Sequence, residues 1–130
     1  VEQFAVAVGA GSLRSEDGSV VHFPHRWTPE GVTVEADFTG AHLLHLAAAG
    51  CVLNDLYREA ATRGLVLDGV RVTARGGFDD DTWASTGITY TVEVDSAEAT
   101  EDLARLVVHV DEIAEIPRAL RLGAPVRRGR

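Results

Sequence analysis

The sequence has no lysine and no methionine, and its one cysteine is Cys51. Without lysine there is no amine for Schiff-base chemistry, for attaching pyridoxal phosphate, or for a phosphate-binding loop of the lysine type. A single cysteine excludes an internal disulfide and a multi-cysteine zinc site. It leaves Cys51 as a buried apolar residue, a lone reactive thiol, or one half of a bridge between two chains. No apolar run approaches the ~18 residues of a membrane span. The opening Val1-Glu2-Gln3-Phe4 has neither the basic start nor the apolar core of an export signal, so a cytoplasmic location is expected. Positive charge is also scarce, with 12 basic residues, all arginine, against 20 acidic ones and a formal net charge of −8. Such a chain lacks the basic face of a general nucleic-acid binder, and neither nucleic acid nor a membrane is an expected partner.

What is present suits one globular domain. The 130 residues are 45% hydrophobic, and a domain of this length buries roughly two thirds of the surface its unfolded chain exposes. Phe4, Val6 and Val8 alternate with alanine as in a strand, which Gly9-Ala10-Gly11 is expected to break. Ser15-Glu16-Asp17-Gly18 reads as a turn. Val20, Val21 and Phe23, stopped by Pro24, suggest a second strand, and Val32, Val34 and Ala36 a third. From Thr39 to Arg63 the pattern is helical, with Thr39 as N-cap and Gly64 as the stop. Its first half is apolar on nearly every side. Past Asn54 it turns amphipathic, with Leu56, Tyr57, Ala60 and Ala61 facing in and Asp55, Arg58, Glu59 and Arg63 facing out.

Val70, Val72 and Ala74 pair with Ile88, Tyr90, Val92 and Val94 as a hairpin around a loop running from Gly76 to Asp81. A second helix is expected from about Ala97, ended or kinked at Pro117, then a short turn closed by Gly123 and a last edge strand at Val126. The order predicts an α+β fold in a single domain over 1–130, made of an N-terminal sheet (1–38), a helix–hairpin–helix–strand core (39–126) and a basic tail (127–130). A helix apolar on all sides must be buried in something thicker than the chain's own small sheets, which argues for a dimer.

Cys51 is the candidate nucleophile, set after the small residues Ala47-Ala48-Ala49-Gly50. A reactive thiol needs an electropositive setting, and Asp55, one turn later, works against it. His42 and His45 share the helix but lie two or so turns earlier. His22 and His25 repeat their spacing, so four histidines offer a weaker metal-binding alternative, without the glutamate of a zinc-protease helix. Asp79-Asp80-Asp81 reads as a solvated hairpin tip, and Trp27, Trp83 and Tyr90 as core or pocket walls.

The run Leu43-Leu44-His45-Leu46-Ala47-Ala48-Ala49-Gly50-Cys51 resembles the signature of the OsmC/Ohr family. Gly64 to Val72, the opening Gly11-Ser12-Leu13-Arg14-Ser15-Glu16-Asp17-Gly18 and Ile116-Pro117-Arg118-Ala119-Leu120 support it, so the likeness spans nearly the whole chain. It implies an OsmC-like fold in which antiparallel sheets from two chains wrap two central helices in an intertwined homodimer. It also implies thiol-dependent reduction of organic hydroperoxides in oxidative stress defence, with no bound cofactor or metal and an external thiol reductant. Carried over residue by residue, the peroxide-attacking cysteine is Cys51. The family's resolving cysteine position reads Ile116, its glutamate position Ala41, and its arginine position falls near Gly9, with Arg14 and Arg26 nearby. His42, beside Ala41, or a partner-chain arginine is the expected activator. The alternative is a catalytically degenerate dimer that binds a small apolar or acidic ligand without turnover.

Overall fold

Alternating β-branched residues along the chain build one antiparallel sheet. In the computed structural model, which describes residues 2–129, the strands are β1 (Val6–Gly11), β2 (Val21–Phe23), β3 (Val32–Glu35), β4 (Gly69–Phe78) and β5 (Ser85–Asp95). They lie in the order β2-β3-β1-β4-β5. Register keeps valine opposite valine: Val8 faces Val34 on one side and Val72 on the other, and Val72 faces Val92. Because side chains alternate every residue, this places the apolar set on one face. Helix α1 (Gly40–Thr62) packs on that face, followed by α2 (Thr100–Ile113) and α3 (Glu115–Leu122). Leu53 and Leu56 of α1 and Leu106 of α2 are fully buried against Val70 and Val72, each stabilising the fold by about 1.5–3 kcal/mol.

The ends of α1 are set locally. The Thr39 hydroxyl accepts the His42 N–H at 3.1 Å as an N-cap. At the other end Gly64 takes φ +68°. The Leu65 N–H bonds the Ala60 carbonyl and the Gly64 N–H that of Ala61, the paired bonds of a glycine-terminated helix.

Several expectations are corrected. Gly9-Ala10-Gly11 does not break the first strand but continues it, pairing on both sides. Glycine is needed at position 9 because a Cβ there would lie 2.3 Å from the Leu13 carbonyl oxygen, where the next loop folds over the sheet. Phe4 precedes the strand rather than starting it. Gly76 and Gly77 belong to β4, which runs on through a bulge to Phe78; a Cβ on Gly76 would meet the Gly87 carbonyl at 2.1 Å.

Helix α2 begins at Thr100, not Ala97, with Glu101 and Asp102 in the first turn, where the helix dipole favours acids. It ends at Ile113 before the extended Ala114. Pro117 therefore stops nothing: it sits in the first turn of α3, where a missing N–H leaves no bond unmade. Residues 123–129 form no strand, and Val126 is exposed. Arg127 and Arg128 are exposed as a tail, and Arg130 lies outside the described residues.

Helix α1 is not enclosed on all sides within one chain. Leu43 and Ala47 are exposed and Leu46 and Gly50 half-buried, a stripe at helical spacing. Among the described residues, no helix is long and apolar enough to cross a membrane.

Candidate active site

Cys51 lies near the middle of α1 and is half-buried. Asp55 and Arg58 follow at i+4 and i+7, so the three share one helix face. Against that face comes the first turn of α3, bringing Glu115 and Ile116. The Cys51 Sγ–H donates to Glu115 Oε2 at 3.4 Å, and the Ile116 N–H donates to the sulfur. Arg58 joins the two carboxylates: its Nη1 lies 3.2 Å from Asp55 Oδ1 and 3.3 Å from Glu115 Oε1. These groups open into a groove of about 440 Å³, also walled by Trp27, Leu46 and Gly50.

The electrostatics hold the sulfur as a thiol. Burial, with the neighbouring Asp55 and Glu115 charges adding to it, pushes Cys51 up to about 11, against the small opposing pull of the Ile116 N–H. Asp55 was expected to face solvent, yet it is only 2% exposed. Apolar residues on both sides of it along α1, Val52 and Leu56, turn toward the sheet and carry it inward. Burial raises its carboxyl, and Arg58 pulls the other way. Its Oδ2 has no hydrogen-bond partner. Glu115 is held below the usual carboxylate range by the thiol it accepts from and by Arg58.

His42 is not brought to Cys51 within the chain. Nine residues along an α-helix separate them, about 13.5 Å of rise. The His42 Nδ1 lies 2.6 Å from the Thr39 hydroxyl and its ring packs edge-on to Phe4. His45 is fully buried, its Nδ1–H donating to the Ala41 carbonyl at 2.7 Å between the rings of Phe4 and Phe78. His25 is tied to Thr28 and to Asn54, at 2.7 and 2.9 Å, and His22 is exposed on β2. Among the described residues, no group of three histidines is close enough to share an ion. The metal-binding alternative built on them is not supported. The cluster with suitable donors is instead Cys51, Asp55 and Glu115, with one ligand atom each, all within 4.8 Å.

Ile116, the position that the resemblance matches to the family's resolving cysteine, lines the same groove as Cys51. Gly9 has no room for any side chain. Arg14 is turned to the Gly11 carbonyl, and Arg26 stacks over Trp27 at 5.8 Å. Arg58 and Glu115, the cation and carboxylate that do adjoin the thiol, were not singled out from sequence. The available signal was helical spacing for Arg58 and, for Glu115, its place next to Ile116. Trp83 is no pocket wall but an exposed residue at the hairpin tip with φ +63°. That tip is the solvated turn expected of Asp79-Asp80-Asp81, with the Asp79 carboxylate accepting the N–H groups of Asp81 and Thr82. Tyr90 does line a recess, and its hydroxyl donates to Asp111.

No curated protein matches the chain significantly in sequence. Among solved structures, an OsmC-like protein from Mycoplasma pneumoniae superposes with a TM-score of 0.58 at 11% identity, covering 82% of this chain and 89% of that one. An OsmC-like hydroperoxide resistance protein from Jannaschia sp. CCS1 gives 0.53 at 12% identity, covering 98% and 93%. The family model for OsmC-like proteins matches residues 32–127, a span that includes α1, Cys51 and Glu115, and the chain therefore belongs to the OsmC-like family.

Proposed function

We propose that this OsmC-like chain serves in oxidative stress defence as a homodimer that reduces organic hydroperoxides at the Cys51 thiol. The observation that carries this reading is the assembly of a thiol, a proton acceptor and a cation in one groove: Cys51, Glu115 and Arg58. The sulfur attacks one peroxide oxygen, the O–O bond breaks, and Cys51 becomes a sulfenic acid. The thiol proton, hydrogen-bonded to Glu115, is the one that the leaving oxygen gains. The alkoxide leaves as the alcohol after gaining a proton. With Ile116 where a second cysteine would stand, an external thiol condenses with the sulfenic acid, releasing water, and a second external thiol frees Cys51 as the mixed disulfide exchanges. Dimerisation is supported by the uncovered stripe of Leu43, Leu46, Ala47 and Gly50 on α1. Light scattering at micromolar concentration tests it, and a monomer would overturn it.

A second reading is favoured by one specific observation. Burial and the neighbouring Asp55 and Glu115 carboxylates push the thiol up to about 11, which favours the un-ionised form at pH 7. A dimer that keeps its apolar groove and binds a small ligand without turning it over fits that value. The rate of Cys51 sulfenic acid formation with cumene hydroperoxide and with hydrogen peroxide, followed across pH, separates the two. A reductase reacts faster with the organic peroxide, outpaces a free thiol at pH 7, and loses the reaction in Cys51→Ser. A rate no better than a free thiol's, rising only toward pH 11, overturns the enzymatic reading.

A further inference from the structure

We propose that Cys51, Asp55 and Glu115 form a zinc-binding site where α1 meets α3, with Arg58 as the outer partner that orients both carboxylates. This inference does not rest on the peroxide chemistry, but it uses the same thiol, so zinc and a peroxide would compete for Cys51. The donor atoms come from two helices yet lie within 4.8 Å of one another. Arg58 engages only one oxygen of each carboxylate, Asp55 Oδ1 and Glu115 Oε1. The other two are left over. Glu115 Oε2 accepts only the thiol, and Asp55 Oδ2 is buried with no partner at all. A buried carboxylate oxygen without a partner is costly, and a cation held by the sulfur and one oxygen of each carboxylate would bind at a carboxylate that the chain leaves incompletely satisfied.

The donor chemistry selects the ion. One thiolate and two carboxylate oxygens suit a borderline-soft cation that accepts four ligands, with water in the fourth place. Calcium and magnesium require six or more oxygens and do not seek sulfur. Zn²⁺ and the Arg58 guanidinium together offset the three anionic ligands, while Glu59, 3.4 Å from Arg58 Nε, also adjoins His109 at 3.0 Å. Tetrahedral ligands at zinc distances lie about 3.5 Å apart, so the cluster must tighten by about an ångström. Cys51 and Glu115 already lie 3.4 Å apart, so the tightening falls on Asp55 and needs a rotation of its carboxylate together with a shift of the Glu115 side chain, which is 66% exposed. Binding forms an S–Zn bond and releases the Cys51 proton to solvent. Arg58, holding the far oxygen of each carboxylate, occupies the place that outer hydrogen-bond partners take around metal ligands.

The test uses the whole chain with Zn²⁺, and Co²⁺ as a spectroscopic stand-in. The expected result is one ion per chain, a sulfur-to-cobalt charge-transfer band, release of a proton on binding, and at least about tenfold slower reaction of Cys51 with a disulfide reagent when zinc is present. Cys51→Ser loses the band and the tight binding. Asp55→Asn weakens binding but alters a buried group, so Glu115→Gln, at an exposed side chain, is the companion variant and should weaken zinc binding about tenfold or more. Absence of the cobalt band, unchanged thiol reactivity with zinc, or full zinc affinity in Cys51→Ser or Glu115→Gln would each overturn the site.

Discussion

The two ends of α1's working half carry buried polar groups in opposite ways. Near its N-terminus His42 and His45 each bond one ring nitrogen locally, to Thr39 and to the Ala41 carbonyl, among the rings of Phe4 and Phe78, although His45 Nε2 is left buried without a partner. One helical span later, Cys51, Asp55 and Arg58 depend on a partner 64 residues away from the thiol in sequence, Glu115. The first arrangement is local and apolar, a pair of histidines acting as core residues. The second is long-range and charged, with a donor, two acceptors and an unpartnered oxygen. An unpartnered atom is buried at both ends, so what sets the second apart is charge held by tertiary structure around a nucleophile, which is where chemistry is expected.

The comparison breaks most severely at Arg58. Arg58→Ala leaves the buried Asp55 carboxylate without its counter-charge, and stability at pH 7 should fall by about 3 kcal/mol, the low end for breaking a buried pair because Arg58 itself is partly exposed. The sign with pH is fixed by Asp55, whose carboxyl is already raised by burial. A raised carboxyl favours folding at low pH and loses that contribution as pH rises through its folded value. The deficit of Arg58→Ala relative to the parent should therefore be larger at pH 7 than at pH 4, as measured by urea unfolding at both. A deficit independent of pH would mean that lost packing, not charge, is responsible.

At the histidine end the same kind of change should cost little. His45→Leu removes a buried ring whose Nε2 has no partner, while the Ala41 carbonyl keeps its helical bond. A shift within about 1 kcal/mol is expected, as for other volume-conserving core exchanges. A loss above that in thermal unfolding would show that His45 is needed for more than packing.

The smallest effect sharpens the comparison from outside. On the far face of the sheet, Arg71 holds Glu35 through two hydrogen bonds of 3.2 Å each, and Arg71 keeps the Glu35 carboxyl below its ordinary range. A lowered carboxyl contributes stability above its unfolded value and loses it as pH falls through the folded one. Glu35→Gln should cost about 0.5 kcal/mol at pH 7, as for a solvent-screened pair, and nothing measurable near pH 2. Equal losses from Glu35→Gln and Arg58→Ala at pH 7 would remove the distinction between a screened pair and a buried one.

Several features were legible from residue types alone because their causes are local. The Thr39 cap and the Gly64 stop framed α1, and strict alternation from Val70 to Val94 gave the long hairpin. The same alternation misled at Gly9-Ala10-Gly11, because what demands glycine there is a loop folding over the strand. Pro117 misled for a similar reason. Its effect depends on where a helix begins, and Ala114 had already ended the previous one. For the site, the run before Cys51 pointed to the thiol, and Ile116 lies beside it in the groove. His42 was considered for its chemistry, but nine residues of helix keep it away.

The sequence by itself therefore determined the α+β class, the framing of α1, the hairpin and the identity of the one thiol. Each follows from periodicity, capping or the presence of a single residue. Only the tertiary structure decided that Asp55 turns inward, that Arg58 joins it to Glu115, and that both carboxylates crowd Cys51. Those relations depend on how α3 docks against α1, and a helix–helix contact is set by how the two helix surfaces fit together, which no local pattern encodes.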